Sequence, residues 1–176
     1  PLQEMQITEL PPPPKGQRTA AVPDLSPLLK PSLQGQDLGL ISEAGMPAVA
    51  DPGAELVRQA HDLGIEVVPL VGPSALLLAL AASGMNGQSF AFVGYLPVED
   101  AARAQRIKEL EALSRRGAQT QMMIETPYRN ASLMQALLQH LQPAARLSVG
   151  CGLTLDDGWA HAGTVQGRRS RVGGCA

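Results

Sequence analysis

A chain of 176 residues with an ordinary 44% apolar content has room for one large domain or two small ones, with helices and strands in both. Fourteen Lys and Arg against sixteen Asp and Glu leave a net charge of −2, which excludes the global positive field of a protein that holds naked nucleic acid by charge and leaves only a local basic face open. Aromatic residues, at 3%, are too few for an interleaved basic and aromatic stacking surface, and the two cysteines, Cys151 and Cys175, lack metal-ligand spacing, which argues against a zinc site or disulfide framework and for a reducing cytoplasm.

In chain order, Met5 to Leu10 offers a short strand, and Pro11 to Pro14 then impose an extended polyproline segment. Leu25 to Leu33 predicts one or two helical turns interrupted at Pro27 and Pro31, before Gly35 turns the chain. Leu38, Leu40 and Ile41 read as a buried strand that breaks into a small-residue loop, Ser42 to Gly53, Ser-Glu-Ala-Gly-Met-Pro-Ala-Val-Ala-Asp-Pro-Gly. In an open α/β sheet such a loop at a strand's carboxyl end lets backbone groups approach a ligand. It reads equally as a tight strand-to-helix connection with Asp51 as the helix cap. Ala54 to Leu63 is a helix with Leu56, Val57 and Ala60 inward and Gly64 after its end, and Ile65 to Val71 is a second buried strand. Strand, helix and strand make a βαβ unit with a parallel sheet and a right-handed crossover.

Ser74 precedes a helix, Ala75 to Ser83, that is apolar on every side and is therefore expected to be buried, between two domains. Its apolar run, Ala75 to Ala82, is too short to cross a bilayer, so no membrane span is expected. The polar segment Gly84 to Ser89 places a boundary between an N-terminal α/β domain, residues 1–86, and a C-terminal one, residues 87–165. In the latter, Phe90 to Tyr95 and Thr120 to Glu125 are strands, and Glu99 to Arg116 is an amphipathic helix with Ile107, Leu110 and Leu113 as its buried stripe. Its Arg103, Arg106, Lys108, Arg115 and Arg116 alternate with acids and read as a solvated face, phosphate contact being the alternative. Ala131 to Leu141 is a further helix and Arg146 to Leu153 a further strand. Residues 166–176 follow neither apolar period and are expected to be a disordered or aberrant tail.

Four blocks, in order, resemble the tetrapyrrole methylase superfamily. Ser42 to Gly53 resembles its S-[DE]-A-G-x-P-x-[IV]-x-D-P-G signature; Val71-Gly72-Pro73-Ser74-Ala75 follows; Phe90 to Pro97 resembles F-x-F-x-G-F-L-P; and Ile124-Glu125-Thr126-Pro127-Tyr128-Arg129 resembles Y-E-A-P-H-R. The branch they resemble contains the small-subunit ribosomal RNA 2′-O-ribose methyltransferases. The resemblance implies two α/β domains with parallel-rich sheets and a cleft between them for S-adenosylmethionine, held by loops rather than by a Gly-x-Gly-x-x-Gly fingerprint. The matching cofactor positions are Ser42, Ala44, Gly45, Met46, Pro47, Gly72, Pro73, Ser74 and Ala75. It further implies ribosomal RNA or the small ribosomal subunit as partner, and a homodimer. Relatives begin with a strand and a V-P-x-P-[LI]-G loop that nothing here matches, so the chain is expected to lack the front of its first domain. The downstream E-x-T-K segment has only a partial echo in Gly152 to Leu155.

Methyl transfer from a sulfonium requires alignment above all, which can supply roughly 7–11 kcal/mol of the barrier. A ribose hydroxyl also needs a proton acceptor, for which Glu125 stands first and Glu43 second. Arg129 is read beside Glu125 in the catalytic set, holding a phosphate or pairing with the carboxylate; a purely structural ion pair is the alternative. Tyr128, where relatives carry His, and Asn130 are read as substrate-binding, the tyrosine by stacking on a base. His61, His140 and His161 do not replace that His by motif. Two other functions stay open: methylation of a tetrapyrrole precursor or another small molecule, and a truncated non-catalytic paralogue that binds cofactor or dimerises.

Overall fold

The computed structural model describes residues 6–11, 23–43 and 45–172, the last two by their backbone alone. The chain divides into two compact units, Pro1–Ser74 and Ala75–Ala176. The segment Gly84 to Ser89 therefore lies inside the second unit. Ala44, Cys175 and residues 12–14 of the proline run lie outside the described residues.

In the first unit, helix α1 (Ser26–Leu33) starts where the Asp24 carboxylate accepts the Ser26 N–H at 2.9 Å, and Pro27 occupies the first turn, where a missing N–H leaves no bond unmade. Helix α2 (Ala54–Asp62) closes on a glycine motif: Gly64 at φ +71° lets the Ile65 N–H reach the Ala60 carbonyl at 2.9 Å and its own N–H reach His61 at 3.0 Å. Gln59 fastens the two helices, accepting from the Leu25 N–H at 2.8 Å and donating to the Pro23 carbonyl at 2.9 Å. Leu25, Leu29, Leu56 and Ala60 form the core between them, flanked by Leu10, Leu40, Ile65 and Val67.

The strands expected in this unit do not form. Residues 6–10, Leu38 to Ile41 and Ile65 to Val71 belong to no ladder among the described residues. Ile65 and Val67 turn inward while Glu66 and Val68 face out, the period of a one-sided strand. Ile41, Leu70 and Val71 are exposed rather than buried. Apolar character prepares a segment for a sheet, but a strand exists only where a neighbour supplies the other half of its hydrogen bonds, and none among the described residues does so.

The second unit contains α3 (Ala75–Ser83), β1 (Phe90–Phe92), α4 (Asp100–Gly117), β2 (Thr120–Met122), α5 (Asn130–His140), β3 (Arg146–Cys151), β4 (Trp159–Thr164) and α6 (Val165–Val172). β1 and β2 pair in parallel, Phe90 opposite Thr120, across the α4 crossover. β3 and β4 form an antiparallel hairpin with Arg146 opposite Thr164 and Cys151 opposite Trp159. Leu96, Ile107, Leu110, Leu133, Ala136 and Leu137 make the core beneath β1 and β2.

Three expectations are corrected here. Leu113 is 39% exposed, and the buried stripe of α4 runs instead through Arg103, Ile107 and Leu110, one turn earlier. Helix α3 is not enclosed: Leu80 and Ser83 are buried, while Leu77 and Leu78 are exposed, so an apolar circumference did not bring burial on every side. The expected tail is a helix through Val172. Val165 is fully buried, and the Arg169 guanidinium donates to the Leu138 carbonyl and, at 3.1 Å, to that of Leu141, satisfying the last turn of α5. A positional cap of this kind leaves no trace in apolar periodicity.

Glu99 caps α4 with both oxygens, accepting from Ala101 N–H at 3.0 Å and Ala102 N–H at 2.7 Å. Those bonds, the Ala102 one foremost, hold its carboxyl below the ordinary 4.5. A folded value below the unfolded one means that the cap contributes fully above about pH 4.5 and is lost as pH falls through the lowered value. Urea unfolding of the wild type and of Glu99→Gln should therefore differ at pH 7 and converge in strong acid.

Candidate functional site

The loop from Ser42 to Gly53 is closed on itself. Ser42 Oγ donates to Asp51 Oδ2 at 2.9 Å, the Ala48 N–H reaches the Pro52 carbonyl at 3.2 Å, and the Val49 N–H reaches Met46 at 3.1 Å. Asp51 is thus the partner of Ser42 and not a cap: the residue before α2 is Gly53, which offers no side chain. Gly45 and Gly53 take φ +85° and +131°, and so, at a cost of roughly 1–2 kcal/mol each, do Ala48 and Ala50 at +64° occupy the left-handed region. Met46 and Pro47 are half-buried, and Glu43 is exposed. Gly72 and Pro73 are exposed and Ser74 is buried, with open space where a Cβ at Gly72 would stand. Ala75 opens α3 in the second unit, exposed.

Gly53 is the residue this loop tolerates least in altered form. A Cβ there would lie 2.7 Å from Leu40 Cδ2 and 3.4 Å from the Ala48 nitrogen, at a φ that L residues rarely adopt. Gly53→Ala should destabilise the first unit by about 1–3 kcal/mol, read by urea unfolding, with the loss concentrated in residues 40–53 by amide exchange.

In the second unit the loops leaving β1 and β2 run side by side, because parallel strands release their chains at the same edge. The Ile124 N–H donates to Gly94 at 3.2 Å. Glu125, with its side chain only 4% exposed, sits where β2 has ended. Its Oε1 accepts from the Thr126 N–H at 2.9 Å and the Thr126 hydroxyl at 3.3 Å. Its Oε2 lies 3.0 Å from Arg129 Nη2, an ion pair by distance whose angle falls outside hydrogen-bond geometry, so this oxygen is held by charge alone. Arg129, on a 3-10 turn of Pro127–Arg129, also donates from Nη2 to the Leu96 carbonyl at 3.1 Å. Tyr128 is 84% exposed, and Asn130 opens α5 at the surface.

Of the positions singled out from sequence, the structure brings Glu125 and Arg129 into contact, and folds Ser42 and Gly45 around Asp51. His61 ends α2 at the surface, His140 is half-buried in the last turn of α5, and His161 stacks on Trp159 with centroids 5.1 Å apart. Arg103 was missed as a structural residue. It is buried, pairs with Asp100, and donates from Nη1 to the Val98 carbonyl at 2.9 Å. Two guanidinium groups thus hold the carbonyls on either side of Pro97. The three-residue spacing of Asp100 and Arg103 signals a helical pair, but nothing in it distinguishes a buried arginine from the solvated ones around it.

A parallel β–α–β crossover with a carboxylate and a guanidinium at its carboxyl edge, together with a closed glycine-bearing loop leading into a helix, defines an α/β protein whose polar groups gather on loops at strand ends. The chain belongs to the tetrapyrrole (corrin/porphyrin) methylase family, whose model matches residues 14–166. It is 40% identical over 144 residues to the ribosomal RNA small subunit methyltransferase I of Mesorhizobium japonicum, covering 81% of this chain and 48% of that protein. To the protein of the same name from Pseudomonas aeruginosa it is 44% identical over 95 residues, covering 54% of this chain and 32% of the other. The crystal structure of the methyltransferase CobJ superposes with a TM-score of 0.54 at 17% identity, covering 80% of this chain and 62% of that one, a likeness of fold alone. The chain spans about half the length of the first of these relatives and less of the second.

Proposed function

We propose that this chain is part of an S-adenosylmethionine-dependent methyltransferase acting on a ribose 2′-OH of small-subunit ribosomal RNA. The observation that carries the reading is the 40% identity, over most of this chain, to a relative named as a ribosomal RNA small subunit methyltransferase. S-adenosylmethionine would supply an activated methyl group. The residues present fit such a cofactor: Gly45 and Gly72 leave backbone uncovered, and the strained Ala48 and Ala50 mark a loop whose shape is fixed by the Ser42–Asp51 bond. Ser42, Ala44, Gly45, Met46 and Pro47, with Gly72 to Ala75, are the positions proposed to hold it.

Glu125 is the proposed proton acceptor; Oε1 is engaged by Thr126 and Oε2 is buried against Arg129, so the role requires the pair to open toward bound substrate. Arg129, 3.0 Å from that carboxylate, holds it in place, and Tyr128 and Asn130 are proposed to face the substrate. A homodimer is proposed as well, supported by the exposed Leu77 and Leu78 of α3. A cytoplasmic location fits a ribosomal substrate; no helix among the described residues is long and apolar enough to cross a membrane.

The test is transfer of labelled methyl from S-adenosylmethionine to small ribosomal subunits isolated from a strain lacking this methylation. Label recovered in a 2′-O-methylated nucleoside is expected. Label appearing only in added tetrapyrrole precursors, or in nothing, would contradict the reading.

A further inference from the structure

The aromatic side chains of this protein lie outside its cores. Phe90, Phe92, Tyr95, Tyr128 and Trp159 account for all of its aromatic residues, and every one is at least 36% exposed, although such rings ordinarily supply core and interface area. Their scarcity in the sequence therefore understates what the surface offers. Tyr95 and Tyr128, the two tyrosines, are 55% and 84% exposed and stand on the adjacent loops that leave β1 and β2.

One of the bonds that join those loops lies next to both rings: Arg129 donates to the Leu96 carbonyl at 3.1 Å, Tyr95 immediately precedes Leu96, and Tyr128 immediately precedes Arg129. The support is rigid. Leu96 is buried in the core, Ile124 bonds to Gly94, and Arg103 holds Val98. The charges nearby are matched internally, Glu125 with Arg129, Asp100 with Arg103, and Glu99 with the first N–H groups of α4. What these loops present to a ligand is two exposed tyrosine side chains rather than an unpaired cation for phosphate.

We infer that Tyr95 and Tyr128 form a stacking subsite for a nucleobase of single-stranded RNA, which gives Tyr95 a binding role. The inference rests on the reading above that RNA is the substrate. Because every base has a π face, such a subsite grips the strand beside the acceptor nucleotide without reading its sequence.

The experiment measures binding of a fluorescently labelled single-stranded oligocytidylate to the purified chain by anisotropy, for the wild type, Tyr95→Ala, Tyr128→Ala and the corresponding Phe variants. Thermal unfolding checks that each is folded, and S-adenosylhomocysteine is titrated into the wild type in parallel. Each Ala variant should weaken binding roughly 5- to 100-fold, and each Phe variant should retain wild-type affinity. Ala variants that bind as the wild type does, or Phe variants that lose as much as Ala, would overturn the subsite. Wild type that binds S-adenosylhomocysteine but no oligonucleotide overturns it while leaving the methyltransferase reading intact; binding of neither removes both. Tyrosine-dependent binding of a corrinoid in place of the oligonucleotide would make the occupant a macrocycle and contradict the assignment to RNA.

Discussion

Arg129→Met should destabilise the second unit by about 3–5 kcal/mol, because it leaves the Glu125 carboxylate, only 4% exposed, without its countercharge. The loss includes the Leu96 carbonyl bond, so the loop after β1 should loosen along with the loop after β2. Adding Glu125→Gln to Arg129→Met removes the stranded charge and should recover much of the stability, and urea unfolding of the two single variants and the double variant gives the coupling directly. Additive losses would mean that the two side chains do not act as a pair. An ion pair of this kind has value chiefly through what happens when one member is removed, since burying both charges already carries a desolvation cost.

Glu125→Gln alone addresses chemistry. The amide keeps the shape and can still accept the Thr126 N–H, but it cannot take a proton from a ribose hydroxyl. The rate of methylation should fall about 10²- to 10⁴-fold, the usual contribution of a positioned base, while the KM for S-adenosylmethionine stays unchanged. A fall in stability with a near-normal rate for the folded fraction would assign Glu125 to structure alone. Oε1 is occupied by Thr126 and Oε2 is buried beside Arg129, so proton transfer to either requires this arrangement to open when substrate binds.

The helices and the second unit's strands were largely legible because their signals are local. Glu99 before α4, Gly64 after α2, and the β-branched and aromatic runs at Phe90 and Thr120 each act within a few residues of themselves. The first unit's strands were not, since Leu38 to Ile41 and Ile65 to Val71 carry the apolar content of strands while the partner that would complete a ladder is nowhere in the local text. β4 and α6 were missed for a related reason. Trp159 to Thr164 becomes a strand by pairing with β3, and α6 is held by Val165 and two arginines that reach distant carbonyls.

The candidate site shows the same division. Glu125 and Arg129 lie four residues apart, so a motif could announce their contact. The role of Asp51 could not be read this way, because a carboxylate three residues before a helix looks like a cap until its actual partner, Ser42, is seen across the loop. Arg103 illustrates the limit of charge patterning: among five basic residues on α4 it alone is buried, and its carbonyl partner at Val98 is set by the turn around Pro97.

The family's signature loop, shaped by Gly45 at φ +85° and by the Ser42–Asp51 bond, is the central element proposed to hold a cofactor. Calorimetric titration of S-adenosylhomocysteine into the purified chain tests this most directly. Saturable binding that disappears in Gly45→Trp, with the thermal midpoint of the variant checked for folding, is the predicted result; no heat of binding in the wild type, or an affinity indifferent to Gly45→Trp, would contradict it.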